Sequence, residues 1–345
     1  MSAEFRELLK KIGSGAHTHK DLTREEAYEA TEMMLRGIAT PAQIGAFLIA
    51  HRIKRPTGEE LAGMLDAYMD LGSKLSPLTA TNQPLTILGI PYDGRSRSAP
   101  ISPITALMLA CCDVPVLMHG GARMPTKYGI TLAEIWQYLG IDFTLLSLTQ
   151  IEDLLNQTNL GFLYLPTHFP LAHSLVKYRD EIGKRPPLAT LELIWQPYLG
   201  NTKLIAGYVH PPTENMVRRA LELRGIKSFT MIKGLEGSGD LKLSQTTIIG
   251  VNSEDNYQYL KLNSHEFNLS HHDVSLGSDA EYYQELTKLI NGEKSSLFDS
   301  AIWNGAFYLW HSALTKDLAT GIDLSKSLLS SGQIREKIAQ IKSFL

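Results

Sequence analysis

Two short stretches of this chain carry side chains suited to holding an anion. Residues 89–97 read Gly-Ile-Pro-Tyr-Asp-Gly-Arg-Ser-Arg, and residues 118–127 read Met-His-Gly-Gly-Ala-Arg-Met-Pro-Thr-Lys. Each combines glycines, which let a ligand approach the backbone, with cations: Arg95 and Arg97 on the first, Arg123 and Lys127 on the second. Two cationic, glycine-bearing loops lying side by side suit a phosphate or pyrophosphate. Gly89, Asp93, Gly94, His119 and Gly120 complete the candidate set. Each also has a plainer reading. Asp93 can bond its own backbone in a turn, His119 can be a satisfied residue at a strand end, and Arg123 and Lys127 can sit on a solvated loop.

The elements that must position these loops follow from the pattern around them. An apolar run at 85–88 precedes the first loop, and a helix is expected from about Ser102. A second run at 114–118 precedes the second loop, with a helix from about Thr131. Strand–loop–helix repeated in this way predicts a parallel α/β sheet, both loops leaving carboxyl ends of strands, where such sheets hold ligands. Further strands are expected at 162–165, 203–209 and 228–233. A turn is expected at 166–170, a helix at 171–182, a helix from Thr213 to about Arg224, a polar β-like stretch at 246–275, and helices from about Ser278 onward.

Residues 1–73 read as helical throughout. Phe5, Leu8, Leu9 and Ile12 share one face. Thr23 and Glu26 form a capping box, Pro41 opens another helix behind Thr40, and Thr57 caps a fourth. The proline- and polar-rich stretch at 76–84 then marks a boundary between this small all-helical N-terminal segment and a larger α/β segment.

A formal net charge of −3 argues against non-specific nucleic-acid binding by the chain as a whole, though not against a local basic patch. The two cysteines, Cys111 and Cys112, are adjacent within an apolar helical run and read as packed thiols in a reducing compartment. The N-terminus reads as an amphipathic helix rather than a signal sequence, and no run approaches the length of a membrane span. A cytoplasmic protein is expected. His271-His272-Asp273 has ligand chemistry without ligand spacing and is read as a polar turn.

The first 73 residues, most closely the stretch DLTREEAYEATEMMLRGIATPAQIGAFLIAHRIK, resemble the helical domain of anthranilate phosphoribosyltransferases and of nucleoside phosphorylases of the same fold. The likeness continues with almost no gaps to about residue 250. Where that family has Gly-Thr-Gly-Gly-Asp-Gly, this chain has Gly89-Ile90-Pro91-Tyr92-Asp93-Gly94; for Lys-His-Gly-Asn it has Met118-His119-Gly120-Gly121. Ser102 matches the family's magnesium-contacting serine, and Arg179 the arginine that orients the aromatic acid. Gly239-Asp240 stands for the Asp-Glu magnesium pair. The resemblance therefore implies phosphate contacts from Ser102, His119 and Gly120, a grip on an acceptor carboxylate by Arg179, and a weakened Mg2+ site with Asp240 as its one remaining carboxylate. Arg179, beside Lys177, Asp180 and Glu181, reads equally as a surface ion-pair member, and Asp240 as a loop turn.

The chain thus resembles a divergent, anthranilate-phosphoribosyltransferase-like branch that includes a dimeric DNA-binding protein. Two functions are implied. The first is phosphoribosyl or pentosyl transfer from a phosphorylated small-molecule substrate to an aromatic or nucleobase-like acceptor. The second is a non-catalytic homodimer that binds nucleic acid or another polyanion. The resemblance also implies the architecture: a small N-terminal all-helical domain (1–76, joined by roughly 170–187) and a larger α/β domain (84–169 and 188–345) with a mixed, mainly parallel sheet. Dimerisation through the helical domain is implied too, with Phe47, Leu48 and Met64 as candidate contacts.

Overall fold

A computed structural model describes residues 2–15, 17–254 and 256–345. Four helices come first: α1 (Ala3–Gly13), α2 (Arg24–Leu35), α3 (Pro41–Lys54) and α4 (Gly58–Leu71). The expected capping boxes form at Thr23–Glu26, Thr40–Gln43 and Thr57–Glu60, each satisfying otherwise orphaned N–H groups at a helix start. Phe5, Leu8 and Ile12 are buried along one face of α1. Phe47, Leu48 and Met64 are fully buried in the chain's own core. They are therefore not available for a contact between two copies, which corrects the expectation placed on them.

The rest alternates strands and helices. β1 (Leu85–Gly89), α5 (Ser102–Cys111), β2 (Val116–Gly120), α6 (Leu132–Tyr138), α7 (Leu148–Thr158) and β3 (Leu160–Tyr164) come first. Then follow α8 (Leu165–His168), α9 (Pro170–His173), α10 (Val176–Ile182), α11 (Leu188–Ile194), β4 (Thr202–Gly207), α12 (Pro211–Leu223) and β5 (Ser228–Ile232). The chain closes with β6 (Thr247–Ser253), β7 (Asn256–Leu262), α13 (Asp279–Ile290), α14 (Phe298–His311), α15 (Leu318–Ser330) and α16 (Gln333–Lys342).

Two elements were not expected. α7 carries a readable start, Ser147 and Gln150 forming a capping box. α11 follows directly on Pro186-Pro187, where two prolines read as a break but also pre-set the dihedral of a first helical turn. The single helix expected at 171–182 is two pieces, because Ser174 and Leu175 divide α9 from α10, and the turn at 166–170 is mostly the short α8.

The seven-stranded sheet has the order β3-β2-β1-β4-β5-β6-β7. β3, β2, β1, β4 and β5 run parallel, and β6 and β7 complete it as an antiparallel ribbon. The chain moves outward from β1 to β3, then returns to place β4 on the other side of β1. The order reverses there, so the carboxyl ends of β1 and β4 bound a topological switch point, the crevice where ligands bind in open α/β sheets. α5 is buried along its length. α10 packs on α3 and α12 on α4, bringing the helical bundle against this end of the sheet.

Candidate functional site

The loop after β1 is held in place by backbone bonds to the loop after β2. Arg95 and Ile130 exchange N–H···O bonds of 3.0 and 2.9 Å, and Gly129 N donates to the Asp93 carbonyl at 3.0 Å. Gly94, at φ +76, lies so close that a Cβ there would stand 2.5 Å from the Gly129 carbonyl oxygen; Gly89 is equally constrained, since a Cβ would meet the Leu193 carbonyl oxygen at 1.8 Å. These glycines are required by close packing of backbone on backbone.

Asp93 sits at the centre of the loop with its side chain buried. Its Oδ1 accepts from Arg185 Nη2 at 3.0 Å and lies 3.6 Å from Lys127 Nζ. Its Oδ2 is buried and has no hydrogen-bond partner. Lys127 Nζ donates to the Gly94 carbonyl at 2.8 Å and stands 3.5 Å from Glu236 Oε2. Burial pulls the Lys127 ammonium below its ordinary range, and the carboxylates of Asp93 and Glu236 oppose that.

Arg95, expected to meet phosphate, is instead buried and spent internally. Its guanidinium donates to Asp240 Oδ2 at 2.6 Å, Ser238 Oγ at 2.7 Å, Ser98 Oγ at 2.6 Å and Glu236 Oε1 at 3.4 Å. Asp240 also accepts from Ile101 N at 3.1 Å and from Ser102 Oγ at 2.5 Å. Both its oxygens, and the Ser102 hydroxyl, are thereby occupied. The donor set does not fit a resident Mg2+ at Asp240. A guanidinium already neutralises this carboxylate, and among the described residues no group of three or more acidic, histidine or cysteine side chains could hold a metal ion.

His119 lies in the core. Its Nδ1 accepts from the Tyr92 hydroxyl at 2.6 Å and its Nε2 donates to the Trp195 carbonyl at 3.0 Å, an assignment that follows from the partners. Burial pushes its pKa down to about 4, so the ring is neutral near pH 7. Both ring nitrogens are used beneath the loops, which leaves none for a ligand. Arg123 is exposed and engaged by two carboxylates, Glu134 at 2.6 Å and Asp279. Arg179 is buried against Glu192, with Met124 Sδ at 3.0 Å. An internal carboxylate thus holds the guanidinium that the resemblance assigned to an acceptor's carboxylate. Burial raises the Glu192 pKa despite Arg179, and Glu192 Oε2 is a second buried oxygen without a partner. Arg97 is 81% exposed and reaches Glu236 only at 3.8 Å. Gly120 ends β2, and a Cβ there would stand 3.3 Å from Phe162.

The structure therefore brings together Asp93, Gly94, Arg95, Lys127, Ser102 and Asp240. His119 lies below them, and Arg123 and Arg179 are engaged elsewhere. It adds Arg185, Glu236, Ser98 and Ser238. Arg185 stands beside two prolines and reads as part of a helix break; Glu236 lies in a glycine-rich loop whose destination no local pattern reveals. Beside Arg185 opens a cavity of about 790 Å³ between the α3–α4 connection, residues 185–190 and the start of α12. Arg52, Arg55, Arg185 and His210 line it, and among the described residues no carboxylate does.

A helical bundle set against an α/β sheet, with loops from β1, β2 and β5 meeting at the switch point, defines a two-part transferase fold. The chain belongs to the glycosyl transferase family: residues 6–72 match its helical bundle domain and residues 94–335 its a/b domain. It is 28% identical over 341 residues to anthranilate phosphoribosyltransferase of Nitrobacter hamburgensis, covering 98% of each chain. Identity to the Xanthobacter autotrophicus enzyme is 26%, over 98% of this chain and 96% of that one. Among solved structures, the Thermus thermophilus enzyme superposes with a TM-score of 0.80 at 20% identity, over 99% of both chains. The Saccharomyces cerevisiae enzyme in complex with PRPP and Mg gives 0.82 at 16% identity, over 99% of this chain and 97% of that one. At these identities the structural likeness speaks for the fold alone. Among the described residues no helix is long and apolar enough to cross a membrane.

Proposed function

We propose that this protein binds a phosphorylated pentose at the switch point and transfers its pentosyl or phosphoribosyl group to an aromatic or nucleobase-like acceptor. The observation that carries this reading is Asp93 Oδ2, a buried acceptor with no partner beside two cations. A sugar phosphate supplies both complements: a ribose hydroxyl for the free carboxylate oxygen, and oxyanions for Lys127 and Arg185. Arg179 is committed to Glu192, so a simple aromatic carboxylate such as anthranilate has no free guanidinium there. Mg2+ on this reading travels with a pyrophosphate-bearing donor and is not resident at Asp240.

A second reading, a polyanion- or nucleic-acid-binding homodimer without catalysis, draws support from the cavity lined by Arg52, Arg55, Arg185 and His210. Phosphate contacts there would give steeply salt-dependent binding. Contacts to a phosphodiester backbone alone leave the orphaned Asp93 oxygen unexplained, because a phosphodiester carries no proton to offer it.

Thermal stabilisation by phosphoribosyl pyrophosphate, with and without Mg2+, against single-stranded DNA at two salt concentrations separates the two. The first reading expects stabilisation by phosphoribosyl pyrophosphate that Asp93→Asn diminishes. Salt-sensitive DNA binding with no response to phosphoribosyl pyrophosphate would leave only the second.

A further inference from the structure

Glu236 carries a feature that neither reading uses. It lies between Leu235 and Gly237 in the loop after β5, at φ +51, the left-handed region that a non-glycine residue seldom adopts. That conformation turns its side chain back onto the loop after β1. The carboxylate is 4% exposed. It accepts from Ser98 N at 2.9 Å, Arg97 N at 3.0 Å, Ser98 Oγ at 2.9 Å, and more distantly from Ser96 N and Arg95 Nε, both at 3.4 Å. Three consecutive backbone N–H groups converge on it, with Lys127 and Arg97 beside it. Successive N–H groups of this kind form an anion-binding nest.

We propose that the 96–98 nest is a phosphoryl subsite and that Glu236 is its internal occupant, which a phosphorylated ligand must displace. The proposal rests on reading the switch point as a phosphate receptor. Every donor that Glu236 uses suits a phosphoryl oxygen equally well. A phosphoryl group carries more charge and more acceptor oxygens than a carboxylate, and the largely exposed Arg97 is free to add to its binding. Gly237, next to Glu236 and at φ +80 with only the Val209 side chain within 4 Å of where a Cβ would stand, is the position at which the loop can pivot to withdraw the carboxylate, while Gly234 and Gly239 are packed closely on either side. An occupied nest imposes a threshold: a weak anion does not enter, whereas a diphosphate does.

A carboxylate that merely staples two loops would give the same static picture, but it responds differently to substitution. The probe is inorganic pyrophosphate, titrated calorimetrically against the full chain. Glu236→Gln keeps the shape and removes the competing charge, so pyrophosphate binding is expected to tighten by roughly tenfold or more, since like charges juxtaposed in a binding site are strongly unfavourable. The unliganded variant should also melt lower, having lost its own anion. Unchanged or weaker pyrophosphate binding by the variant, or no binding by either protein, would overturn the proposal. If Glu236→Gln does not fold, the unaltered protein still decides. Saturating pyrophosphate must shift the backbone amide signals of Arg97 and Ser98 and leave that of Glu26 in the first capping box unmoved; static Arg97 and Ser98 signals at saturation would refute displacement.

The two proposals fail separately. Tightening by Glu236→Gln, with no additional affinity from the ribose of phosphoribosyl pyrophosphate, would keep the internal occupant and remove the pentose. Ribose-dependent binding that the substitution does not tighten would do the reverse.

Discussion

Gly94 shows what a single position at this site must satisfy. Its φ of +76 disfavours any L side chain, and a Cβ would stand 2.5 Å from the Gly129 carbonyl, which is backbone and has little room to yield. Gly94→Ala is expected to cost at least about 1–3 kcal/mol from the dihedral alone, with the clash added, read as a lowered urea midpoint. Arg95 makes a related point about chemistry. By residue type it is a phosphate ligand, but its guanidinium, closed off by Asp240, Glu236, Ser98 and Ser238, is a fixed cation that shapes the loop. Asp93 differs in keeping one oxygen open, and that sets it apart from the fully engaged Asp240.

At the scale of elements, α10 and α11 are tied by the Arg179–Glu192 pair, both side chains nearly fully buried. Removing one partner leaves an uncompensated charge in the interior. Arg179→Leu should therefore destabilise by about 3–5 kcal/mol, whereas Arg179→Leu with Glu192→Leu should recover much of the loss. A double-mutant cycle in denaturant measures the difference. A double variant no more stable than Arg179→Leu alone would show that the pair is not the tie between these helices. Helix starts are governed closer to home. Thr23, Thr40, Thr57, Thr131 and Ser147 each cap the helix that follows them, and each has its Glu or Gln partner three positions on.

Over the whole molecule, acid should weaken the fold in two stages. Burial holds His119 at about 4 and His311 at about 3, against an ordinary value of 6.5. The folded state therefore binds these protons less readily than the unfolded chain. Their contribution is complete above pH 6.5 and is lost as pH falls from 6.5 toward those values, at most about 3 kcal/mol for His119. Glu236 and Glu60 follow. Burial would raise both, but hydrogen bonds and nearby cations hold each down to about 2. Their stabilisation is present above pH 4.5 and disappears as pH falls through 4.5 toward 2. The melting temperature should thus begin to drop below pH 6.5, before Glu236 and Glu60 titrate, and His119→Gln should flatten that first decline. A melting temperature constant from pH 7 to 5 would contradict it.

The sequence by itself determined what is local: the capped helices of the bundle, the strands expected at 85–88 and 114–118 and found at Leu85–Gly89 and Val116–Gly120, and the two glycine-bearing loops. Capping, turn formation and strand alternation depend on neighbours a few residues away, so a linear reading reaches them. α7 was legible by the same rule, and α11 was masked by prolines that serve as a break or a start with equal ease. The tertiary structure decided which charges remain available. Arg95 meets Asp240 across 145 positions and Ser98 meets Glu236 across 138, and no short pattern encodes those meetings. Burial drives the selection: a charge taken out of water must find a partner, and the fold supplied internal partners for Arg95, Arg179 and Asp240 while leaving one oxygen of Asp93 without any.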